Sequence, residues 1–124
     1  MGHAAQDDKF LRKLSHLAGV GIAAVEHLLA PEFPYPIPVE DRYAALLWLE
    51  HQPWVDPDRV AVGGASAGGH FAAAVAQRAH DRNDVKLAFQ LLVYPMLDDR
   101  TGAKRDGPGH LMWTETDNQL AWHW

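Results

Sequence analysis

The residues most suited to chemistry lie in the middle of the chain, where Gly64, Ser66 and Gly68 form a Gly-X-Ser-X-Gly pattern that is followed by Gly69. A serine on a sharp strand-to-helix turn has a strained backbone, and glycines at 64 and 68 avoid the clashes that side chains would cause there. Such a turn raises the serine hydroxyl above the sheet and directs the Ala67 N–H at the position of a tetrahedral oxyanion. The pattern therefore predicts Ser66 as a nucleophile and the Ala67 backbone as an oxyanion donor.

The sequence on both sides of this pattern favours the same interpretation. The apolar run 60–62 is typical of a strand that leads into the turn, and the small residues at 72–76 favour a helix that packs closely on a sheet. In the alternative interpretation, Ser66 and its glycines serve only tight packing. The glycine pairs before and after the serine favour the nucleophile.

A serine hydroxyl needs a hydrogen-bonded base, usually a histidine that a carboxylate orients. The chain has eight histidines. His70 lies one helical turn beyond the serine, and His110 or His123 could fold back over the strand ends with Asp98 or Asp99 as the orienting carboxylate. Each has a simpler interpretation, because loop and helix-surface histidines are mostly solvated and the two aspartates suit the turn after a strand. The sequence therefore does not decide which of these histidines, if any, is the base.

Composition and charge are those of an ordinary globular protein and argue against several classes of partner. The 124 residues suffice for one domain, and a hydrophobic content of 48% matches an ordinary globular protein. A formal net charge of -5 argues against a nucleic-acid partner and against an anionic membrane surface. Cysteine is absent, and the polar, acidic stretch 1–10 does not resemble a signal peptide, so we expect a cytoplasmic protein.

The motifs give no reason to expect a metal or a cofactor. A His-Glu-X-X-His spacing does not occur, and the glycines at 63, 64, 68 and 69 fit neither a dinucleotide fingerprint nor a phosphate loop. No stretch of sequence is long and apolar enough to span a bilayer.

Hydrophobic periodicity predicts alternating helices and strands. Helices are expected at 9–17, capped by Asp7 or Asp8 and ended by Gly19, at 39–51, from the serine turn to 81–84, and at 114–122. Strands buried on both faces are expected at 20–25, 60–62 and 87–93, with a proline-rich loop at 29–38 and a turn at 52–58. This order predicts an α/β fold with a parallel sheet core flanked by helices, in which ligands bind at the carboxyl ends of the strands.

Several segments together resemble one family, the hormone-sensitive-lipase-like carboxylesterases and acetyl esterases of the α/β-hydrolase fold. The stretch 27–32, His-Leu-Leu-Ala-Pro-Glu, is similar to the family's Tyr-Arg-Leu-Ala-Pro-Glu motif, with His27 and Leu28 as departures. The prolines at 34–38, the elbow at 64–69 and the stretch 94–101, Tyr-Pro-Met-Leu-Asp-Asp-Arg-Thr, also match. His70 stands where the family often has glycine or asparagine.

The resemblance implies a cofactor-free serine esterase that acts on small, short-chain acyl esters through an acyl-enzyme. It also implies that residues 1–124 form one partial α/β-hydrolase domain, because the family's His-Gly-Gly-Gly oxyanion segment and its catalytic aspartate and histidine have no counterpart here. We therefore expect a truncated chain with weak or no activity. Glu32 and Asp41 are expected to be structural, the first as a loop anchor and the second as a charge at a helix start.

Two other hypotheses belong to different classes. The chain is either a non-catalytic interaction module that self-associates through exposed sheet edges, since unpaired strand edges recruit other strands, or a truncated sequence with no function of its own. A monodisperse monomer in size-exclusion chromatography would count against the first, and only the flanking genomic sequence separates the second from a real short protein.

Overall fold

The computed structural model describes residues 3–100 and 113–123. Within these ranges helices and strands alternate along the chain. The elements are α1 (Asp8–Ala18), α2 (Ile37–Glu50), β1 (Ala61–Ala65), α3 (Ala67–Arg82), β2 (Phe89–Val93) and α4 (Glu115–His123), with short 3₁₀ helices at Ala4–Asp7 and Pro57–Arg59.

The two strands form a parallel sheet in which Ala61 pairs with Phe89 and Ala65 with Val93. α3 connects the strands and packs on both of them, while α2 packs on α3. This arrangement confirms the predicted α/β class, with a parallel sheet flanked by helices. Both strands end at the same edge, and β1 leads directly into the turn that holds Ser66.

The core lies between α2, α3 and the residues that precede the two strands. α2 contributes an apolar stripe with helical spacing, and α3 contributes small residues that let the helix approach β1 closely. The buried residues of this cluster are Val39, Tyr43, Leu46, Val60, Val75, Ala79 and Val85.

The prediction that the segment 87–93 forms a buried strand is only partly right. β2 begins at Phe89, and Phe89, Leu91 and Val93 remain 62%, 45% and 38% exposed. Side chains alternate between the faces of a strand. The Gln90 side chain donates to the Ala72 carbonyl on α3, 3.4 Å away, so the odd-numbered residues of β2 lie on the opposite face. α3 covers one face of β2 and leaves the other open.

The predicted strand at 20–25 is wrong. These residues adopt no regular secondary structure, and Val20 and Ile22 are exposed. A strand needs a hydrogen-bonded neighbour, and no segment in the described part of the chain pairs with this one. Instead the Val20 carbonyl accepts a hydrogen bond of 2.6 Å from the Ser15 hydroxyl.

The first helix matches its prediction except at the N-cap. α1 ends where expected, with Gly19 in the left-handed conformation at φ 64. Asp7 occupies the N-cap but makes no side-chain capping bond. Asp8 instead pairs with Arg12 one turn later, at 2.8 Å.

The second helix begins two residues earlier than predicted, at Ile37, with Pro38 in its first turn. Proline is tolerated there because the first turn has no carbonyl partners for its N–H groups. The loop anchor is Asp41 and not the predicted Glu32. Asp41 accepts a hydrogen bond of 2.9 Å from the Leu28 N–H and so anchors the loop, whereas Glu32 is exposed and has no polar partner among the described residues.

In the described ranges, we find no helix with the length and apolar character needed to cross a membrane.

Candidate active site

Ser66 occupies the junction between β1 and α3, at the carboxyl end of the strand, and it is exposed. Its backbone has φ 55 and ψ -122, a region that side-chain-bearing residues rarely adopt. The Ser66 N–H donates to the Val93 carbonyl at 3.0 Å, which ties the turn to the end of β2. The serine is therefore held in a strained conformation between the ends of two parallel strands.

Gly64 and Gly69 make this turn possible because other backbone atoms lie against them. A Cβ atom at Gly64 would overlap the carbonyl group of Gly68 and lie 2.8 Å from the Gly69 nitrogen. A Cβ atom at Gly69 would lie 2.8 Å from the Cβ of Pro95. The predicted steric reason for glycine at 68 is wrong, because a Cβ there would meet no atom of the described residues within 4 Å, apart from its chain neighbours and the backbone of its own helix.

The backbone N–H groups around Ser66 are of two kinds, those that are hydrogen-bonded to the Ser66 carbonyl and one that has no acceptor among the described residues. The Ser66 carbonyl accepts from the N–H groups of Gly69, His70 and Met96 at 3.0, 3.1 and 3.3 Å. The Ala67 N–H, at the first position of α3, has no acceptor within the described part of the chain. The Ala67 N–H is therefore a free donor next to an exposed serine, and its role as an oxyanion donor stays a prediction.

The structure does not bring a histidine into hydrogen-bond contact with the Ser66 hydroxyl, which has no partner within residues 3–100 and 113–123. The His70 side chain is instead bonded through Nδ1 to the Met96 carbonyl at 3.0 Å. His123 is exposed near the end of α4. His110 lies outside the described residues.

Asp98 and Asp99 follow β2, and Asp98 stabilises the turn there through hydrogen bonds with Arg100. Asp98 accepts from the Arg100 N–H at 3.0 Å and from the Arg100 guanidinium at 2.8 Å, in the way that aspartate closes a turn upon itself. Asp99 is exposed. These contacts agree with the simpler interpretation of the two aspartates.

A cluster around Arg42 that was not predicted from the sequence joins the segment before the proline-rich loop to α2 and α3. Arg42 on α2 donates to the Pro38 carbonyl at 2.6 Å, lies 2.7 Å from the His27 Nε2, and places its guanidinium carbon 3.6 Å from the centre of the Phe71 ring. Burial lowers the pKa of Arg42 to about 10. Burial, followed by the Arg42 charge, lowers the pKa of His27. The replacement of tyrosine by His27 in the 27–32 motif was the one available signal.

The described residues contain no group of three histidine, aspartate or glutamate side chains that could hold a metal ion.

Comparison with known proteins gives a consistent result. A profile of the α/β-hydrolase fold family matches residues 1–124. The esterase LipI of Mycobacterium tuberculosis is 44% identical over 98 residues, which cover 77% of this chain and 31% of LipI. The arylacetamide deacetylase of Oryctolagus cuniculus is 42% identical over 97 residues, which cover 73% of this chain and 24% of the deacetylase.

Solved structures agree with the sequence relatives. A bacterial heroin esterase superposes with a TM-score of 0.89 at 39% identity, covering 98% of this chain and 40% of that chain. A hyperthermophilic esterase from the archaeon Pyrobaculum calidifontis gives a TM-score of 0.84 at 32% identity, covering 98% and 41%. The chain thus spans less than half the length of each of these proteins. It belongs to the hormone-sensitive-lipase-like family of the α/β-hydrolase fold, as the motifs predicted.

Proposed function

We propose that this chain carries the nucleophile of a serine carboxylesterase that acts on short-chain acyl esters. The Ser66 oxygen attacks the ester carbonyl carbon, its proton passes to a base, and the carbonyl oxygen becomes a tetrahedral oxyanion. Collapse of this intermediate expels the alcohol, which takes up a proton, and leaves the acyl group on Ser66. Water then hydrolyses the acyl-enzyme to the free acid.

The observation that carries this proposal is the conformation of Ser66. The combination of φ 55 and ψ -122 on a non-glycine residue stores about 1 to 3 kcal/mol of backbone strain, and strain of this kind clusters at active sites. Tight packing alone needs glycines at 64 and 69 but gives no reason for a strained serine. The relatives named as esterases and as a deacetylase support the same reaction class.

The Ala67 N–H is the proposed oxyanion donor. It is the first donor of α3, where the helix dipole adds partial positive charge, and it has no acceptor in the described part of the chain. Removal of one such donor in serine hydrolases costs about 10²- to 10³-fold in turnover. Because it is a backbone group, its contribution depends on the elbow conformation and not on the alanine side chain.

The lack of a histidine at the Ser66 hydroxyl, among the residues that the structure describes, sets the expected rate. Loss of the base from a serine triad costs about 10⁶-fold in turnover, with about 10³- to 10⁴-fold over water remaining. Since none of the described histidines contacts the Ser66 hydroxyl, we expect this chain on its own to be a slow esterase. A base added from solution should accelerate its reaction.

Phosphonylation by a fluorophosphonate probe tests this proposal. Intact mass should show one adduct per chain, formed faster as the imidazole concentration rises, because imidazole supplies the base. Ser66→Ala with an unchanged circular-dichroism spectrum is the control and should not react. The proposal fails if folded wild-type protein forms no adduct at any imidazole concentration, or if Ser66→Ala reacts equally.

The open sheet face favours a second candidate function, self-association as an interaction module. Phe89, Leu91 and Val93 form a bulky exposed row beside the smaller Ala61 and Gly63 on β1. Each strand is also paired on one side only in the described residues, and unpaired edges recruit further strands. Such a surface fits a second copy of this chain.

Sedimentation velocity tests this second candidate. Wild-type protein should form dimers at micromolar concentration, and Leu91→Lys should be monomeric because it places a charge in the middle of the row. Gln77→Lys, on the exposed surface of α3, is the matched control and should dimerise like the wild type. A wild-type monomer throughout the concentration series would reject self-association.

A further inference from the structure

His70 contacts three segments that meet near Ser66. It lies in the first turn of α3, four residues after Ser66, and its own N–H donates to the Ser66 carbonyl at 3.1 Å. Its imidazole Nδ1 is 3.0 Å from the Met96 carbonyl, 26 residues further along the chain. A carbonyl only accepts, so Nδ1 carries the proton of this hydrogen bond.

Met96 closes a ring of hydrogen bonds with His70 and Ser66. The Met96 N–H donates to the Ser66 carbonyl at 3.3 Å, and the Met96 carbonyl accepts from the His70 side chain. Both backbone polar groups of Met96 are therefore bonded to the elbow. The preceding Pro95 lies against Gly69, where a side chain would not fit.

The His70 ring also packs against Trp122 of α4. The ring of Trp122 stands nearly perpendicular to the imidazole, with centroids 5.5 Å apart, and Phe71 makes a similar edge contact at 5.3 Å. Edge-to-face packing stabilises such rings beyond the burial of their apolar surface. One side chain thus joins the elbow helix, the segment after β2 and α4.

We propose that His70 is a positioning residue for the esterase reaction, which fixes the segment 95–96 beside Ser66 through the hydrogen bond from Nδ1 to the Met96 carbonyl. This inference rests on the proposed function of Ser66. No hydrogen bond joins the imidazole to the Ser66 hydroxyl in the described part of the chain, so His70 is assigned no proton transfer with the serine. Its effect is to hold the Ser66 carbonyl and the chain after β2 in one arrangement, so that the nucleophile and its neighbours stay in place.

Two substitutions separate the hydrogen bond from the ring. Asparagine has a donor nitrogen at the same distance from the backbone as the histidine Nδ1, so His70→Asn keeps the bond to Met96 and loses the ring. His70→Phe keeps a ring against Trp122 and loses the donor. His80→Phe is the matched control, since His80 lies on the same helix with an 88% exposed side chain.

The first readout, amide hydrogen exchange of Met96 followed by NMR, needs no reactive serine. Loss of the bond should speed this exchange about fivefold in His70→Phe, which corresponds to about 1 kcal/mol, the usual net contribution of a hydrogen bond. His70→Asn and His80→Phe should exchange at the wild-type rate. Fast exchange in His70→Asn, or wild-type exchange in His70→Phe, would overturn the positioning role.

The second readout is the rate of phosphonylation of Ser66 in the presence of imidazole. His70→Phe should react about fivefold more slowly than wild-type protein, whereas His70→Asn should restore the rate, an effect that a loss of ring packing would not produce. Equal rates in wild-type protein and His70→Phe would refute the link to the reaction. If wild-type protein itself does not react, the nucleophile proposal fails, and hydrogen exchange alone decides the role of His70.

Discussion

Gly64 lies directly against Gly68 across the turn that holds the serine, close enough that a Cβ atom on Gly64 would overlap the Gly68 carbonyl group. The contact is one-sided, because a Cβ on Gly68 would meet nothing within 4 Å among the described residues outside its own helix turn. The two glycines of the Gly-X-Ser-X-Gly pattern therefore have different physical roles. The first allows the helix to start close to the strand, and the second lies at the helix start with open space beside it.

This asymmetry predicts opposite effects of alanine at the two positions. Gly64→Ala should lower the free energy of unfolding by about 3 kcal/mol or more, because backbone atoms must move to relieve the overlap. Gly68→Ala should be neutral or stabilise the protein by up to about 1 kcal/mol, because alanine is the better helix former. Urea unfolding followed by circular dichroism measures both. Equal destabilisation by the two substitutions would contradict the geometry.

The strained backbone of Ser66 predicts that glycine stabilises this position. Ser66→Gly should raise the free energy of unfolding by about 1 kcal/mol relative to Ser66→Ala, because glycine adopts positive φ without steric strain. The alanine variant keeps the Cβ and so serves as the reference. The measurement is the urea midpoint of the two variants, and an identical midpoint would show that φ 55 carries no strain.

Local patterns predicted well the strand, turn and helix around Ser66, whereas long-range pairing was predicted poorly. The Gly-X-Ser-X-Gly spacing needs only a strand before it and a helix after it, and all three are local properties of 60–82. The strand at 20–25 failed because the apolar run shows a preference for burial but not whether a partner strand exists. The prediction that Leu91 is buried was wrong for the same reason, because its apolar character does not show whether another element covers that face of β2. The contact between His70 and Met96 joins residues 26 apart and leaves no periodic signal.

His27 predicts a dependence of stability on pH. Folding lowers its pKa through burial and the Arg42 charge, so the unfolded chain binds the proton more tightly than the folded chain does. The stability contributed by neutral His27 is fully present above the unfolded pKa of about 6.5 and is lost as the pH falls from there through the folded pKa. Protein with His27 should therefore become less stable as the pH falls from 7 to 5.

His27→Gln tests this dependence because glutamine can accept from Arg42 but does not titrate. The slope of unfolding free energy against pH over this range should be smaller in His27→Gln than in wild-type protein. His16→Gln, which removes an exposed histidine from α1, controls for the loss of a titratable group. An unchanged slope in His27→Gln would show that the His27–Arg42 contact does not form in solution.

A hydrogen bond between the buried Tyr43 and the exposed Asp84 gives a further prediction about stability. Tyr43 is 2% exposed, and its hydroxyl donates to the Asp84 carboxylate. Burial, followed by this hydrogen bond, raises the pKa of the Tyr43 hydroxyl. Tyr43→Phe should lower the free energy of unfolding by about 1 to 2 kcal/mol, since the bond to a charged acceptor is lost.

Asp84→Asn is the matched variant, because its amide oxygen still accepts from Tyr43. It should destabilise the protein less than Tyr43→Phe, and the double variant should be no less stable than Tyr43→Phe alone. Additive losses from the two substitutions in urea unfolding would argue against a direct interaction.

The most direct test of the central claim is transfer of an acyl group to Ser66. The chain contains two serines, and Ser15, whose hydroxyl donates to the Val20 carbonyl, is an internal control. After incubation with p-nitrophenyl acetate in the presence of imidazole, peptide mass spectrometry should find the acetyl group on Ser66 and not on Ser15, with Ser66→Ala unmodified in that peptide. Acetylation confined to lysines in folded wild-type protein, with none on Ser66, would contradict the account.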